Sequence, residues 1–128
     1  MIKILASISF LLPVLVAAAT FEERVDAAKA GFETAEGMIY EQKLGPYLGS
    51  TMQICIPYGS TSTENLGRFT YVANVSIEGR ISASEVKPLN AVSLCFDKEF
   101  TKQILPQPPS SLFIENSVPI VVELNVVP

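Results

Sequence analysis

The sequence predicts an α+β fold, with a three-stranded antiparallel sheet, helices packed on one face and one disulfide, in the order helix, strand, strand, helix, strand. Three observations carry this. Apolar residues recur at helical spacing between Tyr40 and Cys55 and again between Phe96 and Ile104. They alternate with polar ones over Phe69–Ile77 and Val118–Val127, the period of a half-buried strand. The chain of 128 residues has two cysteines, Cys55 and Cys95, one in each predicted helix of the domain.

The amino terminus reads as an export leader over residues 1–19. Lys3 gives a positive start, Ile4–Val16 is apolar around Pro13, and Ala17-Ala18-Ala19 supplies the small residues of a cleavage site. The run is short of the roughly 18–20 apolar residues of a membrane span. Retention as an uncleaved anchor is the rival reading. Pro119–Val127, the next most apolar run, carries Glu123 and Asn125, so no stable span is expected after cleavage.

Residues 20–37 form an amino-terminal helical segment, ordered or mobile, and residues 38–128 the α+β domain. The segment is rich in Ala, Glu and Lys, with a weak stripe of Val25, Ala28 and Phe32. Tyr40, Leu44, Leu48, Met52 and Cys55 share a helical face. Gly45-Pro46 either kinks this helix or opens a second segment, and Ile56-Pro57 ends it before a Ser/Thr-rich loop.

Phe69, Tyr71, Ala73, Val75 and Ile77 face inward on the first strand. Glu78-Gly79 turns it into a second, Ile81–Val86, with a bulge or strand end near Glu85 because Val86 is out of phase. Asn90 caps a helix running from about Ala91 to Ile104. Leu105-Pro106-Gln107-Pro108-Pro109 is an extended corner. On the last strand Ile120, Val122, Leu124 and Val126 share one face, and Val121, Glu123, Asn125 and Val127 the other.

This order resembles the carboxy-terminal domain of TonB-type energy transducers. The residues that carry it are the hairpin Gly67-Arg68-Phe69-Thr70-Tyr71-Val72 to Glu78-Gly79-Arg80-Ile81, Val86, Phe100, Leu105-Pro106-Gln107-Pro108 and Pro119-Ile120-Val121-Val122-Glu123-Leu124. They cover about Gly67–Val127, half of the chain. Transducers of that family keep a membrane anchor and a long proline-rich linker, whereas this chain carries a cleavable leader and a cysteine pair. The resemblance therefore implies a stand-alone periplasmic relative. It also implies that a partner segment is received alongside the last strand.

Composition excludes several functions. Nine basic and thirteen acidic residues give a net charge of −4, and losing Lys3 with the leader makes it −5, which is no footprint for nucleic acid. The absence of histidine removes Ser-His-Asp and Cys-His catalysis and most zinc sites. Cys55 and Cys95 are too far apart for a redox Cys-x-x-Cys motif and read as a structural disulfide of an exported protein. No carboxylate pair or calcium loop stands out, and no cofactor is expected. The sequon Asn74-Val75-Ser76 falls inside a strand.

The expectation is an exported, non-enzymatic binding module of the bacterial envelope, periplasmic or secreted. It would capture a peptide segment or an envelope protein, or pair with itself, along the last strand at Val121, Glu123 and Asn125. The alternative is a binder of a small apolar ligand or lipid between sheet and helices, near Tyr40, Tyr47, Phe96 and Phe100.

Overall fold

A computed structural model describes residues 19–59 and 63–127, the side chains of residues 57–59 excepted. The expected leader lies outside the described residues except for Ala19. The elements run α1 (Phe21–Phe32), α2 (Ala35–Gly59), β1 (Gly67–Ser76), β2 (Ile81–Lys87), α3 (Ala91–Thr101) and β3 (Ser117–Val126). The three strands form one antiparallel sheet in the order β2-β1-β3, an α+β fold with the Cys55–Cys95 disulfide in place.

Local chemistry explains the boundaries. Thr20 and Glu23 form a capping box at the start of α1. Thr34 opens α2 by accepting the Gly37 N–H on its hydroxyl at 3.0 Å. Gly37 is required here, because a Cβ would collide with the Gly31 carbonyl where α2 folds back on α1. Asn90 and Ser93 form the equivalent box on α3. In the hairpin Gly79 has φ 86°, and its Cα face lies against the Leu105 backbone.

Two helix limits differ from expectation. α2 is a single helix through both Gly45-Pro46 and Ile56-Pro57. A proline inside a helix removes one hydrogen bond and costs roughly 3 kcal/mol. Here burial of Tyr40 and Leu44 before Pro46, and of Thr51 and Cys55 after it, anchors both halves of the helix. α3 stops at Thr101, with Ile104 half exposed and bridged to Arg80 of the hairpin instead. Ile77, expected to face inward, sits exposed in the turn.

One face of the sheet is an aromatic core. Phe96 and Phe100 of α3 stack at 5.0 Å and meet Tyr71 edge-on at 5.2 and 5.3 Å, with Phe69 at 5.5 Å from Phe96. Val75, Ile120 and Val118 complete this buried layer. The disulfide joins α2 to α3 across 40 residues of sequence, a closure worth roughly 4 kcal/mol in the chain-entropy model. Gln103 strengthens the join by donating to the Thr51 hydroxyl at 2.7 Å.

α1 takes the opposite face. Its Arg24 reaches Glu85 at 2.9 Å, its Lys29 reaches Glu123 at 3.3 Å, and Lys87 lies over the Phe21 ring at 4.9 Å. Glu85, Lys87 and Glu123 pair with Val72 and Thr70 of β1, the side turned away from Tyr71. The expected one-sided arrangement therefore describes α3 and the α2 stapled to it. The amino-terminal segment is ordered and adds a layer beneath the sheet.

Candidate functional site

Strand-edge geometry follows from the ladders. Ser76 donates its backbone N–H to the Arg80 carbonyl at 2.9 Å, so its polar groups point at β2. Backbone groups alternate in direction along a strand, so Tyr71, Ala73 and Val75 turn theirs toward β3. Their partners are Val122, Ile120 and Val118. The residues between them, Pro119, Val121, Glu123 and Asn125, therefore turn their backbone groups outward, away from β1. Pro119, opposite Asn74, agrees with this phase, since a proline has no N–H to offer the ladder.

Along that outer edge the exposure is uneven. Val121, expected on an uncovered face, is buried at 8 % because α1 crosses above it. Its neighbours there are Lys29 and Phe32 of α1 and Glu41 of α2. Glu123 and Asn125 are exposed, and Val127 beyond them is 68 % exposed. The structure thus exposes the side chains of Glu123 and Asn125 at this edge and buries that of Val121. Among the described residues no backbone hydrogen bond from outside the sheet ladder reaches Glu123 or Asn125.

The other sheet edge is different. Asn74 pairs with Ser82 and Val72 with Glu85, so Ala83 and Ser84 stand opposite Ala73 alone as a bulge. This is the irregularity expected near Glu85. Ala83 adopts φ 54°, a left-handed conformation uncommon for a residue with a Cβ. The Arg24 guanidinium donates to the Ala83 carbonyl at 2.6 Å and so occupies an acceptor of the bulged strand. Bulging and side-chain capping are both ways of blunting an edge.

On the α3 side of the bulge lies a polar chain. Ser84 donates to the Asp97 carboxylate at 2.5 Å, Thr101 contacts the same oxygen at 3.2 Å, and the Tyr71 and Thr101 hydroxyls meet at 2.8 Å. Burial pushes the Tyr71 phenol up to about 12, against the opposing effect of the Thr101 hydrogen bond. Burial likewise pushes Tyr40 up to about 12, its hydroxyl donating to the Pro106 carbonyl at 2.7 Å. Both phenols are neutral at physiological pH, and their hydrogen bonds pin neighbouring elements together. Tyr40, Phe96 and Phe100, named for the ligand alternative, are fully buried against neighbouring side chains.

Arg24, Lys29, Glu33 and Glu41 were not legible as site residues. Nothing in their spacing indicates that α1 crosses β3 or that α2 begins beside it. Comparison of the chain with protein-family models, with curated proteins and with solved structures gave no match. Among the described residues no helix is long and apolar enough to cross a membrane, and no cluster of three or more His, Cys, Asp or Glu is placed to hold a metal.

Proposed function

We propose that the protein is an exported, non-enzymatic binding module, a stand-alone relative of the TonB carboxy-terminal domain, that receives an extended partner segment along β3. The observation that carries this is the contrast between the two edges. β2 is bulged and capped by Arg24, while β3 continues a ten-pair ladder with Glu123 and Asn125 exposed. An extended segment laid there gains main-chain hydrogen bonds that the edge otherwise leaves to water. The disulfide supports an oxidising compartment, and the leader supports export to it.

Asn125→Pro tests the reading. Its backbone N–H points outward, and Pro119 already occupies the same phase of the same strand, so the fold is expected to stand. Affinity capture from envelope extract, with the disulfide intact, should lose a partner that the wild type retains. A concentration-dependent dimer lost in the same variant would identify a second copy as the partner. Unchanged capture and unchanged association in a folded Asn125→Pro protein would refute edge binding.

A further inference from the structure

We infer that the segment captured on β3 is basic, carrying Lys or Arg on the side that faces α1, an inference that rests on the edge reading above. Lys29, Phe32, Glu33, Glu41, Val121 and Glu123 surround a cavity of about 310 Å³ beside the strand. Phe32 and Val121, both buried, make its floor apolar. Lys29 is already engaged by Glu123. Among the described residues neither Glu33 nor Glu41 has an ion-pair partner, and both are exposed. The cavity is therefore an apolar floor under two free carboxylates.

A strand added to β3 would send alternate side chains toward the α1 face. A long basic side chain suits the position, because its alkyl stem covers Phe32 and Val121 while its charged end stays among the carboxylates. An acidic side chain would meet Glu33 and Glu41 with no free cation in the cavity. The net negative charge, −4 for the whole chain and −5 without the leader, acts in the same direction by drawing basic segments toward the surface.

The test uses the full disulfide-bonded protein and three octapeptides: one alternating Lys and Thr, one with Gln in place of Lys, and one with Glu. Binding is measured at low salt and again at about 0.5 M, where charge is screened within a few ångströms. The Lys peptide should bind tightest and the Glu peptide weakest. Glu33→Gln and Glu41→Gln should each weaken the Lys peptide about two- to fivefold, the range for exposed ion pairs, and leave the Gln peptide unchanged. Asn125→Pro should abolish binding of both. Equal binding of the three peptides, still lost in Asn125→Pro, would overturn the basic preference and leave edge capture standing. Binding of the Lys peptide that survives Asn125→Pro would overturn both. Failure of all three peptides to bind would overturn the basic preference.

Discussion

The two faces of the sheet are held by different physics. Above it, α3 buries Phe96 and Phe100 against Tyr71 and Phe69, and a covalent bond ties α2 to the back of α3. Below it, α1 buries Ala28 and Phe32, packs Phe21 and Val25 partly against the core, and adds Arg24–Glu85, Lys29–Glu123 and the Phe21–Lys87 contact. Dry aromatic packing is worth several kcal/mol per side chain, whereas exposed ion pairs are worth about 0–1 kcal/mol. The upper layer is therefore expected to carry more of the stability, and the lower one to open more readily, next to the edge proposed for binding.

The largest effect expected from this contrast is at Phe96. Phe96→Ala should destabilise the domain by about 3–5 kcal/mol, read as a shift in denaturant midpoint, because the ring is fully buried among three others. A cost near that of a surface substitution would erase the distinction between the faces.

The next effect is alkaline. Tyr71 has its phenol raised from 10.0 to about 12 in the folded state, so the unfolded chain ionises first as pH rises. The stability due to the neutral, buried phenol is fully present below pH 10 and is lost between pH 10 and about pH 12. The loss is about 2–3 kcal/mol for a shift of this size. Tyr40 contributes in the same window. Tyr71→Phe should flatten the alkaline limb of the stability profile by roughly half. An unchanged limb would mean that the upper face does not exclude water at Tyr71.

The smallest effect lies below the sheet. Lys29→Ala should cost no more than about 0.5 kcal/mol and lose even that in high salt, since both partners of its ion pair are half exposed. Amide hydrogen exchange should find α1 opening before α3 in the wild type. The reverse order would invert the comparison.

Legibility followed the range of the interactions. The hairpin, the Asn90 cap and the inward face of β3 depend on neighbours within a few residues, and periodicity with the Glu78-Gly79 and Asn90 signals located them. The cysteine pairing was legible because two cysteines leave a single internal bridge. The continuation of α2 past Pro57 was not, because proline rules are local while Tyr40, Leu44, Thr51 and Cys55 are held by distant elements. The burial of Val121 was hidden for the same reason: it depends on α1 returning across a strand some ninety residues later in the chain. Of the three site residues, Glu123 and Asn125 are exposed as strand alternation implied, and Val121 on the same face is not.

Ala83 and Arg24 bear on what happens at high concentration. A flat sheet with two receptive margins can add neighbours on both sides and grow into a fibre. With the β2 margin kinked at Ala83 and plugged by a guanidinium, a molecule that docks through β3 has nowhere to pass the pairing on. Assembly through strands should therefore terminate at two bodies, however high the concentration.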